Sequence, residues 1–121
     1  KGYFTIKCSW YYLRYYSSVV VNKLINERIT LEVCPSSNVD TDVVVSMDKH
    51  PIKALVDKGV LVTINTDNRT VSNTNLNREY GLLKETFGFT DDDFLQFNMN
   101  AIEAAFISDD EKEELRKELL K

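Results

Sequence analysis

The sequence predicts an α/β chain organised around a parallel βαβ unit, and three stretches carry that prediction. Ile29-Thr-Leu-Glu-Val-Cys34 is a short apolar, β-branched run closed by Pro35-Ser-Ser-Asn38, the form of a buried strand followed by a turn. His50-Pro51 opens a helical pattern with Ile52, Leu55 and Val56 as its apolar stripe, and Gly59 stops it. Val60-Leu-Val-Thr-Ile64 is a second buried strand that runs straight into the polar cluster Asn65-Thr66-Asp67-Asn68. So long a crossover between two strands implies parallel pairing and, by the general handedness of such connections, a right-handed unit.

Taken in order, the chain begins with a segment unlike the rest. Five of the six tyrosines (Tyr3, Tyr11, Tyr12, Tyr15, Tyr16) and the single Trp10 fall in the first 16 positions, and no acidic residue precedes Glu27. The aromatics from Trp10 to Tyr16 follow neither a helical nor a strand period. From Ser17 the pattern sharpens, because Val20, Val21, Leu24 and Ile25 recur at helical spacing and predict a helix to about Asn26. After the βαβ unit the chain reads as helical. Leu76, Tyr80, Leu83 and Phe87 make one stripe ended by Gly88. Thr90 is an N-cap with Asp93 at N3, opening a helix that carries Phe94, Leu95 and Phe97, with Ile102 and Phe106 continuing its apolar face. Ser108 with Glu111 forms a capping box for a last, charged helix. There is no internal repeat and no linker; residues 1–18 stand as an atypical aromatic-rich segment and residues 19–121 as one unit.

Composition narrows the function classes. The 121 residues, 43% hydrophobic and 28% charged with net charge -4, are those of an ordinary globular protein with a mildly acidic surface. Phosphate-binding surfaces need clustered Lys and Arg, whereas acidic residues dominate the C-terminal half, so nucleic acid is not an expected partner. No apolar run approaches the roughly 20 residues of a membrane span, and no secretory leader is expected from Lys1-Gly2-Tyr3-Phe4. A cytoplasmic setting is the expectation. Cys8 and Cys34 lie far apart without C-x-x-C spacing, which suggests neither a zinc knuckle nor a disulfide framework.

Cys34-Pro-Ser-Ser-Asn38, His50-Pro51-Ile52, Val62-Thr-Ile-Asn-Thr-Asp67, Val71-Ser72 with Leu76, and Glu79-Tyr80 follow one another here. In that order and spacing the chain resembles the adenosine deaminases, and Asn98, Asn100-Ala-Ile-Glu-Ala104 and Phe106 extend the match. The resemblance covers residues 19–121 and only the last third of a family member. It implies the C-terminal part of a (β/α)8 barrel, a fold of roughly 250 residues when complete. Ile29–Val33 would be the seventh barrel strand and Val60–Ile64 the eighth, with the remaining helices closing the barrel. Active sites of such barrels lie at the C-terminal ends of the strands, where Asp67 falls.

By the same resemblance Asp67 is a metal ligand for Zn2+, beside two histidines of an H-x-H on the first strand and a third on the fifth. Zinc accepts imidazole nitrogen and carboxylate oxygen and brings bound water to hydroxide near neutral pH. In the family that hydroxide attacks C6 of the purine, a glutamate on the fifth strand protonates N1, a sixth-strand histidine assists, and ammonia leaves inosine. Related members act on adenine or AMP. The family usually has a second aspartate after the zinc ligand, bonded to purine N7; here Asn68 stands in its place. N7 accepts, so a carboxyl there has to be protonated to donate, while an amide donates as it is. Asn68 is therefore the expected substrate-binding residue.

Other departures bear on activity. The only histidine, His50, aligns with the family's His-Pro-Ile and not with a metal ligand; at a helix start it is expected to cap or bond locally. The zinc-binding histidines and the acid glutamate have no counterpart, and the sixth-strand Gly-His-Gly falls near Ser9-Trp10-Tyr11, putting Trp10 where a base is expected. No catalytic residue is expected in this chain. A reading-frame change or altered start upstream of about residue 17 would produce such a pattern.

Cys34 after a strand is expected to be a small core residue rather than a nucleophile. Asp91-Asp92-Asp93 and Asp109-Asp110-Glu111 favour helix dipoles, and Glu113 with Lys117 is an i, i+4 surface pair. Three functional readings follow. The chain is the C-terminal fragment of a zinc-dependent adenosine deaminase, inactive alone; or a non-catalytic interaction module that covers an exposed barrel edge with a second copy, forming a homo-oligomer; or half of a split enzyme completed by another chain.

Overall fold

The structure, a computed structural model, describes residues 18–68, 70 and 72–121, and residues 6 and 7 by their backbone. In order these form β1 (Ile6–Lys7), α1 (Ser18–Asn26), β2 (Leu31–Val33), α2 (Pro35–Asp40), a 3-10 turn (Met47–Lys49), α3 (Ile52–Asp57), β3 (Val62–Ile64), α4 (Leu76–Phe87), α5 (Asp91–Ala104) and α6 (Asp109–Leu119). The three strands make one parallel sheet in the order β1-β2-β3, with Ile6 opposite Leu31 and Leu31 opposite Val62.

The α/β class and the two parallel strands stand as expected, and a third, two-residue strand joins the far edge of β2. Residues 35–38, expected as a turn, instead open the short helix α2, with Pro35 in its first turn, where a missing N–H costs nothing. Alternation along the strands sorts the sheet into two faces. Leu31, Val33, Val62 and Ile64 share one face and are buried together with Leu24, Ile52, Leu55 and Leu83. Glu32 and Thr63 share the other, where with Thr30, Asn65, Ala101 and Phe106 they line a cavity of about 260 Å³.

Backbone signals end the helices where the sequence places them. Gly59 (φ +92°) follows α3 and donates its N–H to Val56, and Gly88 (φ +69°) closes α4 on Lys84, both in the left-handed region that glycine enters without strain. Thr90 and Ser108 each form the expected capping box, with Asp93 and Glu111. The Ser108 backbone N–H and hydroxyl on Glu111 hold that carboxyl below its ordinary pKa. Phe89, Phe94 and Phe97 pack in tilted and edge-on pairs, and Tyr80 stacks on Phe94 at 4.6 Å.

Two apolar expectations fail. Leu76 is 40% exposed and Phe106 83% exposed. Leu76 is the first residue of α4, and Phe106 lies past the end of α5 at Ala104, so neither is carried inward by its helix. Cys34 is half-buried between β2 and α2 rather than fully in the core. Asn100, buried on α5, donates to the Val62 carbonyl at 2.9 Å; residues 61 and 65, on either side of β3, bond toward β2, so this alternate carbonyl faces the opposite edge of the sheet. Among the described residues no helix is long and apolar enough to cross a membrane.

Candidate functional site at the strand ends

Because β2 and β3 run parallel, the chain leaves both at the same end of the sheet. β2 leads into α2, and β3 leads into the polar residues 65–68. The two exits are tied together, since the Ser37 hydroxyl donates to Asp67 Oδ2 at 3.2 Å. Asp67 is exposed and takes a left-handed backbone (φ +53°), a conformation non-glycine residues adopt at a cost. Asn68, the next residue, accepts the Thr70 N–H on its Oδ1 at 3.1 Å, an Asx turn that fixes the loop. Beside them Ile64, Asn65, Thr66 and Leu76 line a cavity of about 250 Å³.

Beneath this rim lies a layer of buried polar side chains. His50 is 3% exposed; its Nδ1 accepts the Ile52 N–H at 3.1 Å, which requires the proton on Nε2, and that proton points to Asn38 Oδ1 at 3.1 Å. The imidazole thus bonds locally at the start of α3, as expected of it, and also reaches back to α2 across 12 residues. Burial lowers its pKa from 6.5 to about 4, so it is neutral at physiological pH. Glu79 on α4 is wholly buried; its Oε2 accepts the Ser36 N–H at 3.1 Å and its Oε1 the Thr74 hydroxyl at 2.7 Å.

The structure brings Asp67 and Asn68 together at the strand end and adds Ser37, which the sequence had marked as a turn former. It also adds Glu79, quoted from the motif without a role. A signal was present: position 79 lies three residues after Leu76 and four before Leu83, a carboxyl on the buried stripe of an amphipathic helix. Trp10 and the Ser9-Trp10-Tyr11 segment, with Val71 of the motif, lie outside the described residues. Among the described residues there is no group of three His, Cys, Asp or Glu able to hold a metal ion.

A parallel sheet with one face packed on helices, and with polar side chains gathered where the strands end, defines a segment of a (β/α)8 barrel of the kind that carries enzyme sites. The family model for adenosine deaminase matches residues 15–121. Adenosine deaminase of Lacticaseibacillus paracasei is 46% identical over 100 residues, 83% of this chain and 30% of the relative. That of Streptococcus mutans is 46% identical over 102 residues, 84% of this chain and 29% of the relative. Among solved structures, adenine deaminase from Arthrobacter aurescens superimposes with a TM-score of 0.82 at 27% identity, over 86% of this chain and 32% of that one. The Arabidopsis N6-mAMP deaminase shares the fold, with a TM-score of 0.82 over 97% of this chain and 40% of its own at 24% identity.

The chain belongs to the adenosine deaminase family. It spans about 30% of the length of these curated relatives.

Proposed function

We propose that this chain is the C-terminal part of a zinc-dependent adenosine deaminase, supplying one metal ligand, Asp67, and one base contact, Asn68. The observation that carries the reading is the Asp67 carboxylate, set at the C-terminal end of β3 on a left-handed residue and held by Ser37 from the neighbouring strand's exit. A ligand fixed from two sides keeps its oxygen aimed with little freedom to lose on binding. With Oδ1 of Asn68 engaged by Thr70, the donor to purine N7 is its Nδ2.

Zinc takes four ligands, and the described residues hold no group of three His, Cys, Asp or Glu able to bind it, so by themselves they do not fit the ion. The chain alone is then expected to leave adenosine untouched, and activity belongs to a barrel completed by further residues. The reaction of that complete site is hydrolytic deamination of adenosine to inosine and ammonia, a reading that rests on similarity to curated relatives of that name.

The test is complementation. Co-expression with the N-terminal 70% or so of the Lacticaseibacillus paracasei relative should restore bound zinc and inosine formation, and Asp67→Ala should lower both. Restored zinc and turnover that ignore Asp67→Ala would sink the assignment. A second reading, self-association of a non-catalytic module, is favoured by Phe106, Leu120 and Leu115, which are 83%, 64% and 41% exposed on or beside the C-terminal helices. Light scattering on a sizing column separates the two, because a monomer removes the self-association reading.

A further inference from the structure

We propose that Glu79 is a positioning residue for this site, locking the two strand exits to α4 so that Ser37 meets Asp67. A carboxyl group with 0% exposure is costly to desolvate and is retained only where its oxygens are bonded. Both are: Oε2 takes the Ser36 N–H in the first turn of α2, and Oε1 takes the hydroxyl of Thr74, itself 7% exposed, in the loop between β3 and α4.

The two partners belong to different strand exits. Ser36 follows β2 and is the immediate neighbour of Ser37; Thr74 lies near the end of the 65–75 loop that also carries Asp67. One side chain is therefore bonded to the neighbour of Ser37 and to the loop that carries Asp67, the two partners of the 3.2 Å contact. Its position on α4 adds rigidity, since Leu83, one turn on, is also wholly buried in the core. Without the carboxyl, the Ser36 N–H loses its partner, the first turn of α2 is released, and Ser37 no longer has a fixed distance to Asp67.

What Asp67 then does rests on the function proposed above, but the contact itself does not, so the test reads Asp67 directly and without zinc. The Asp67 carboxyl carbon resonance and the exchange rates of the Ser36 and Leu83 amides are measured at neutral pH by NMR. They are compared in the protein, Glu79→Leu, Ser37→Ala and the double variant. Glu79→Leu should move the Asp67 resonance to where Ser37→Ala puts it, with no further change in the double variant. The Ser36 amide should exchange about tenfold faster, the loss of one hydrogen bond, with Leu83 unchanged. Glu79→Gln, whose amide can accept from Ser36 and donate to the Thr74 hydroxyl, should restore both readouts. Where Glu79→Leu does not fold, Thr74→Val removes one partner only and should shift Asp67 in the same direction by less. An Asp67 resonance that stays put in the folded variant, or effects that add in the double variant, would overturn the proposal.

Discussion

At the strand ends, buried polar groups reach far along the chain. Glu79 bonds to Ser36 across 43 residues, Asn100 to Val62 across 38, and His50 to Asn38 across 12. In α6 most side-chain bonds are local. Ser108 and Glu111 bond across three residues, Arg116 meets Glu113 across three, and Glu113 faces Lys117 at i, i+4. Its longer reach goes to α5, through Lys112 to the Glu103 carbonyl and Arg116 to the Glu103 carboxylate. Local bonds keep a helix in being, and long-range ones decide where its side chains meet. The candidate site stands on the second kind.

That difference can be tested by the cost of breaking each region. Leu83→Ala empties a wholly buried position between α4 and the sheet and should cost about 3 kcal/mol of stability by urea denaturation, within the range for such core truncations. A loss under about 1 kcal/mol would mean that the core does not close there.

His50 gives a pH-dependent test of nearly the same size. In the unfolded chain its pKa is 6.5 and in the folded chain about 4, so between those values the unfolded state binds a proton that the folded state does not. Stability is therefore complete above about pH 6.5 and falls as the pH drops toward 4, by at most ~1.4 kcal/mol per unit and ~3 kcal/mol in all. Below about pH 4 the folded state takes the proton too and this dependence ends. Denaturation midpoints at pH 7.5 and 4.5, in the protein and in His50→Gln, should show this slope only where the histidine is present.

Asn100→Ala should cost about 1–2 kcal/mol, because the Val62 carbonyl loses its donor in a buried place. Thr90→Ala should cost about 1 kcal/mol, the ordinary worth of an N-cap, and leave the strand ends unchanged in amide spectra. If Thr90→Ala disturbed the Ser36 amide as much as a strand-end substitution does, the two regions would not be separable in this way.

The same contrast explains what was legible beforehand. Capping boxes at Thr90 and Ser108, the glycine stops at 59 and 88 and the core faces of β2 and β3 depend on neighbours within a turn or on strand period, so the sequence displays them. The place of Asp67 after a strand was legible through its motif. The helix at Pro35–Asp40 was not, since six residues rich in Ser, Asn and Pro carry the signature of a turn, and Asn38, held by His50, supports the helix from outside. Glu79 showed its place on the buried stripe but not its partner Ser36, 43 residues away, and the exposure of Phe106 depends on α5 ending at Ala104.

The most direct test is to measure zinc in the purified chain by elemental mass spectrometry and to follow adenosine absorbance on the same sample. On the proposed function, no stoichiometric zinc and no loss of adenosine are expected, because Asp67 is proposed as one ligand only and the described residues hold no group of three His, Cys, Asp or Glu able to bind a metal ion. About one zinc per chain together with turnover would contradict it, since the chain would then hold a whole site.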